Sequence, residues 1–204
     1  MEVGLLYSGG EDSTLAACLL DGLCDVTLCC GTFGVTDDYR QAREAGRRLG
    51  FETAVLELDP AVAREAVDRM VADGYPREGI QRVHEHALER AAVAWPAVAD
   101  GTRRDDRAPT VDRPLAQSLE DRHGVAHLAP LAGVGRGAVD ELAGAHLAVE
   151  TGPSADLATG DYEAELRALM RRKHGQGTVE AVFPDHVQSR VTGWAAGGPD
   201  PDSE

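Results

Sequence analysis

The chain has 204 residues, 43% of them hydrophobic, which suits one domain with a real core and at most a small appendage. It carries 35 acidic against 20 basic residues, a net charge of −15. In ordinary salt this argues against a nucleic-acid partner, but in molar salt the Debye length falls to about 3 Å and that exclusion lapses.

Val3 to Tyr7 reads as a short buried strand leading into Gly9-Gly10, and Ser13 to Asp21 as a helix rich in Ala and Leu. Cys24 to Phe33 is apolar and β-branched, a buried strand. Asp37 to Leu49 is an amphipathic helix with Asp37 as its expected N-cap. Glu52 to Leu58 alternates as a strand. Pro60 opens a helix at a position proline tolerates, and Gly74-Tyr75-Pro76 breaks it near Asp73. Gln81 to Ala94 is helical. Ala97-Val98-Ala99 is a short strand running into Asp100-Gly101. Pro114 to Arg122 is a helix, Val125 to Leu131 a strand, and Gly137 to Leu147 a helix.

Strands alternating with helices imply an α/β fold: an open, mostly parallel five-stranded twisted sheet with helices on both faces, over residues 1–150. Gly, Pro, Ser and Thr between Glu150 and Thr159 mark a boundary. Residues 151–196 are expected to form a short helical and extended cap, with a helix from Asp161 to Arg172, and 197–204 a disordered tail.

No stretch approaches the roughly 18 apolar residues of a membrane span. Met1-Glu2-Val3-Gly4 lacks the basic start of a signal peptide, so a cytoplasmic protein with no membrane partner is expected. Lys173 is the single lysine among the basic residues, and the acidic ones are spread along the whole chain. That composition resembles proteins of salt-adapted archaea. The four cysteines, Cys18, Cys24, Cys29 and Cys30, form no C-x-x-C pair and read as buried free thiols.

Ser8-Gly9-Gly10-Glu11-Asp12-Ser13 lies between a buried strand and a helix start. Glycines let backbone approach an anion, and the helix N-terminus offers free N–H groups and the positive end of its dipole. Ser8 and Ser13 add hydroxyls. Asp12 repels bare phosphate, so its best role is holding Mg²⁺ beside it. With no lysine near, this is not a Walker A loop, and it is not G-x-G-x-x-G.

The run matches S-G-G-x-D-S, and the chain resembles the PP-loop superfamily of ATP pyrophosphatases, the adenine nucleotide α-hydrolase-like proteins. Five fixed positions at about 7% usage each match by chance with a probability of order 10⁻⁶ per start. The resemblance implies ATP and Mg²⁺ as cofactors, with Ser8, Gly9, Gly10, Asp12 and Ser13 around the phosphates. A second run, Gly101-Thr102-Arg103-Arg104-Asp105-Asp106, follows a short strand and resembles the G-[TH]-x-x-D-D element of the tRNA-modifying branch. Ligands sit at the carboxyl ends of strands in such sheets, so both runs should face one crevice. By the resemblance, Gly101 and Thr102 line the α-phosphate side and Arg103 stabilises charge on the phosphates. Asp105 or Asp106 orients the nucleophile or holds Mg²⁺, with Asp12 and Asp106 the expected metal pair. Adenine would lie against backbone near Cys30 to Phe33.

PP-loop enzymes cleave ATP between the α and β phosphates and transfer AMP to a substrate oxygen, which a nitrogen or sulfur nucleophile then displaces. The preferred acceptor is a tRNA base. No cysteine follows Cys30, so a sulfur or ammonia donor would be a partner protein. An amide-forming synthetase acting on a small carboxylate and a non-catalytic ATP-binding subunit are the alternatives. His84 and His86 are taken as surface or crevice residues, since i and i+2 do not share a helix face. Arg171-Arg172-Lys173-His174 is either an anion-binding patch or the complement of a helix C-terminus. The run from Phe183 to Arg190, with His186, Gln188, Ser189 and Arg190 as polar side chains, is a candidate substrate-facing lid.

Overall fold

The computed structural model describes residues 1–154, 157 and 159–196. The expected tail, 197–204, lies outside the described residues.

The first strand, β1 (Glu2–Leu6), pairs in parallel with β2 (Asp25–Thr32) on one side and with β4 (Ala97–Ala99) on the other. Adding β3 (Glu52–Glu57) and β5 (Ala126–Leu128) gives a five-stranded parallel sheet in the order β3-β2-β1-β4-β5. Successive side chains point to opposite faces. Thus Leu5, Leu28, Cys30 and Ala99 join one core, and Leu6, Cys29, Leu56 and Val98 join the other.

Helices cover both faces. On the Leu5 side lie α1 (Glu11–Asp21), α2 (Tyr39–Arg48) and α6 (Arg136–His146). On the Leu6 side lie α3 (Pro60–Asp73) and α4 (Arg77–Ala92), with Leu119 of α5 (Arg113–His123). Caps fix several ends. Asp59 accepts from the Ala61 N–H ahead of α3, whose Pro60 sits in the first turn, and Gly74 closes the helix at φ +66°. Asp112 does the same for α5 through Leu115 N–H.

The Asp37 cap is not formed. The helix begins two residues later, and Asp38 at its N-cap position has helical backbone and makes no capping bond. Thr36 Oγ1 donates to Asp38 Oδ2 (2.8 Å) and Asp37 pairs with Arg40 instead, so both carboxylates are already engaged. The strand expected over Val125 to Leu131 is only three residues long, because Pro130 follows Ala129 and leads into a turn.

The C-terminal segment departs further from expectation. Helix α6 runs directly into β6 (Leu147–Pro153), so the run from Glu150 read as a boundary carries the second half of a strand. Its antiparallel partner is β7 (Val187–Trp194), and α7 (Tyr162–His174) and α8 (Gln176–Val182) lie between the two in sequence. The β6–β7 ribbon packs on the Leu5 side through Leu147 and Val191, while Leu166, Met170, Val179 and Val182 of the two helices, with Phe183 just beyond α8, close the Leu6 side. Among the described residues no helix is long and apolar enough to cross a membrane.

Candidate functional site

Leaving β1, the chain turns at Gly9, which has φ +80° and whose added Cβ would press on Ala42. Gly10 is the extended N-cap residue of α1, with no side chain closing the helix end. Within the loop, Ser13 Oγ donates to Gly10 O (3.2 Å) and Thr14 Oγ1 to the same oxygen (2.8 Å).

The second run reaches this loop through backbone. A Cβ on Gly101 would lie 2.8 Å from Ser13 N and 2.9 Å from Ser13 Cα, so only glycine allows the approach. Just before it, Asp100 is buried at 1% exposure. Its carboxylate accepts from Thr102 N–H (2.7 Å) and pairs with His127 Nε2 (2.9 Å). Those bonds hold the carboxylate ionised below its usual range, against the desolvation that opposes them. Further along, Gln81 of α4 exchanges two hydrogen bonds with the Thr110 backbone, fixing the loop to the helix.

Both runs open on one cavity of about 410 Å³, at the β1–β4 junction where the strand order reverses. Ser8, Asp12, Ser13, Thr102, Arg103 and Asp106 all line it. Asp105 does not. It is exposed, pairs with Arg104 (3.0 Å) and accepts from Arg136 N–H (3.2 Å), so the expected catalytic place for Asp105 is corrected to the outer surface of the loop.

Asp106 is bound to Arg103 through both oxygens. Oδ1 takes Nε (3.0 Å) and Nη2 (2.6 Å), and Oδ2 takes the Arg103 backbone N–H (2.7 Å). Arg103 Nη1 is left 3.4 Å from Asp12 Oδ1, fully buried and without a hydrogen bond among the described residues. Burial pushes the Asp12 carboxyl up to about 6, with Arg103 pulling down and Asp106 pushing up. Among the described residues no three potential metal-ligating side chains cluster. Mg²⁺ needs no such cage, since it is usually held by one or two carboxylates with phosphate oxygens and waters. Asp12 fits that pattern. Asp106 fits it only by releasing Arg103.

The rest of the lining comes from the C-terminal segment. Gly160 N–H donates to Ser8 O (2.9 Å) and Val191 N–H to Gly9 O (2.8 Å), tying the cap to the loop backbone. Asp161 caps α7 through Ala164 N–H and accepts from Gln188 Nε2 (2.5 Å). Of the run expected as a lid, His186 and Gln188 line the cavity. Arg190 pairs with Glu150 (2.6 Å). Sequence reasoning missed Asp161, Tyr162 and Glu163, which line it from the start of α7, and gave no particular role to His84 of α4.

The end of β2 does not reach the cavity. Tyr162 packs on Gly31, where a Cβ would lie 3.0 Å from its ring. Glu165 takes the Phe33 (2.7 Å) and Val35 (2.8 Å) N–H groups and the Thr32 hydroxyl (3.0 Å). Thr32 to Asp37 border a separate hollow of about 510 Å³. The basic run on α7 is engaged within the chain: Arg171 with Gln176, Arg172 with the Val35 carbonyl and Lys173 with Asp68. Cys29 and Cys30 are buried, and burial pushes the Cys30 thiol up to about 12.

The amino-acid sequence matches, over residues 1–193, the model of a family of unknown function, DUF7411. The chain belongs to that family. This DUF7411 chain is 38% identical over 194 residues to an uncharacterized protein of Methanocaldococcus jannaschii, covering 95% of itself and 96% of the relative. It is similar to the crystal structure of a predicted subunit of tRNA methyltransferase from Methanocaldococcus jannaschii, with TM-score 0.87 and 37% identity over 96% of this chain and 98% of that one. The U34-tRNA thiolase NcsA of Methanococcus maripaludis, solved with its 4Fe–4S cluster, aligns at TM-score 0.44 and 19% identity over 71% of this chain and 56% of that one. That likeness is too distant to transfer a function.

Proposed function

We propose that this protein is a PP-loop ATP pyrophosphatase that adenylates an acceptor in tRNA modification. The observation that carries the reading is the backbone contact of Gly101 with Ser13, which joins two sequence-distant motifs into one side of a single cavity.

In this reading Ser8, Gly9, Gly10 and Ser13 cradle the phosphates with hydroxyls and the uncapped start of α1. Thr102 and Gly101 lie along the α-phosphate. Arg103 Nη1, a buried donor with no hydrogen bond among the described residues, meets a phosphate oxygen. Mg²⁺, held by Asp12, would neutralise charge on the phosphates as it builds. Asp106 keeps Arg103 aimed. An acceptor oxygen attacks the α-phosphorus, the bond to the bridging oxygen breaks, and pyrophosphate leaves with the bonding pair. The acceptor is left as an adenylate, which a nitrogen or sulfur nucleophile from a partner can displace.

A tRNA acceptor is supported by the designation of the structural relative as a predicted tRNA methyltransferase subunit. The net charge of −15 confines such binding to high salt. A second reading has its own support. The closed Arg103–Asp106 pair, with the relative's designation as a subunit, also suits a nucleotide-binding subunit without turnover. Pyrophosphate release separates the two. Purified protein with ATP, Mg²⁺ and total tRNA in molar salt is expected to yield AMP and pyrophosphate; ATP binding with no product would leave the subunit reading alone.

A further inference from the structure

His84 is a polar side chain of the cavity that the phosphates do not use. His84 lies on the buried stripe of α4 beside Val83 and Ala87, is 5% exposed, and lines the cavity. Its Nε2 is fully buried and has no hydrogen-bond partner among the described residues. The nearest carboxylate, Asp100, stands 4.0 Å away, and its two oxygens are already taken by Thr102 and His127. A buried polar atom left unmatched is costly unless something else meets it.

What could meet it is limited by charge and shape. Burial, ahead of every neighbouring charge, holds the His84 pKa below its ordinary value, so the ring is neutral at neutral pH. It has no charge to offer a phosphate. Leu6, Ile80 and Pro109 line the same cavity, and Tyr162 stands edge-on to His84 at 6.3 Å between centroids. Apolar flat walls with one in-plane polar atom suit a ring whose faces are apolar and whose edge carries hydrogen-bonding groups.

We propose that the α4 wall of the cavity is a recognition site for a neutral heteroaromatic ring, a nucleobase, with His84 Nε2 hydrogen-bonding its edge and Tyr162 and Ile80 bounding its faces. The proposal deepens the ATP reading and rests on it only for what fills the phosphate end. The ring has two sources, the adenine of ATP or a base of the RNA acceptor, and both present the same chemistry.

The test measures affinities in molar salt for ATP, inorganic tripolyphosphate, adenosine, cytidine, guanosine and uridine, using wild type and His84→Phe. The variant keeps an aromatic ring against Tyr162 and removes both imidazole nitrogens. Tripolyphosphate affinity is expected to stay within twofold, while ATP and adenosine, or one of the other nucleosides, weaken about tenfold or more. Loss with adenosine names adenine as the ring; loss with another nucleoside names the acceptor base. An unchanged ratio of ATP and nucleoside affinities to tripolyphosphate affinity overturns the proposal. Should His84→Phe not fold, the imidazole nitrogen resonances of wild type decide: Nε2 is expected to shift on saturation with at least one nucleoside, and no shift with any of them overturns the site. Failure of the ATP reading looks different, because wild type would then bind nucleosides but not tripolyphosphate.

Discussion

One side of the cavity, Ser8 to Ser13 against Gly101 to Asp106, is made by bringing backbone to backbone. The opposite side, Asp161 to Glu163 with His186 and Gln188, is made by side chains reaching in from the far end of the chain. The first needs glycines and small hydroxyls in a fixed order, because a single Cβ at Gly101 would collide with Ser13. The second is tolerant in kind, since Asp161 and Gln188 satisfy each other and the cap is tied down by two backbone bonds to the loop. Where backbone meets backbone a site leaves a compact motif; where side chains meet across the fold it leaves almost none.

The largest expected effect is on turnover. Asp106→Ala should leave ATP binding within severalfold and slow pyrophosphate release by about 10²–10³-fold, as losing one preorganised electrostatic group does. Full activity would remove Asp106 from the site. Gly101→Val should abolish ATP binding and cost roughly 1–3 kcal/mol by overpacking against backbone, measured by chemical denaturation. Wild-type stability and binding there would mean that the two loops do not touch.

Asp12→Asn separates function from stability. The acid form of Asp12 persists from its ordinary 3.8 up to about 6 when folded, so the folded state holds that proton more tightly than the unfolded chain. The ligand-free protein should therefore lose stability as pH rises through that window, and Asp12→Asn should be the more stable protein at pH 7. The same variant should lose Mg²⁺-dependent ATP binding, which in wild type should fall as pH drops through about 6. Equal affinity with and without Mg²⁺ would count against the metal role.

On the cap side, Glu165→Gln should lower the melting temperature by several degrees, because hydrogen bonds to a charged acceptor contribute about 1.5–3 kcal/mol and at least one loop N–H would lose its partner. The smallest effect is assigned to Asp105→Ala: an unchanged denaturation midpoint and unchanged activity, since the residue and its Arg104 partner are exposed. A large loss there would restore Asp105 to the site.

The parallel sheet was legible because its apolar runs and helices alternate cleanly, and Ser8 to Ser13 because its chemistry is local. Asp105 and Asp106 could not be told apart in sequence. The turn after Arg103 decides which one bonds back, and it selects Asp106 through the Arg103 N–H. His84 did leave a signal that the H-x-H pattern masked: with Ile80, Ala87, Leu88 and Ala91 it falls on the apolar stripe of α4. His86 falls off it and accepts the Asp59 N–H (3.1 Å) instead. Strand β6 was hidden because Gly152 and Pro153 read as a break, whereas a two-stranded ribbon has edges that tolerate both.

The most direct test of the central claim follows the α-phosphate. ATP labelled at that position, incubated with the purified protein, Mg²⁺ and total tRNA in molar salt, should give labelled AMP or an adenylated acceptor together with pyrophosphate. Labelled ADP, or intact ATP under conditions where binding is saturated, would contradict it.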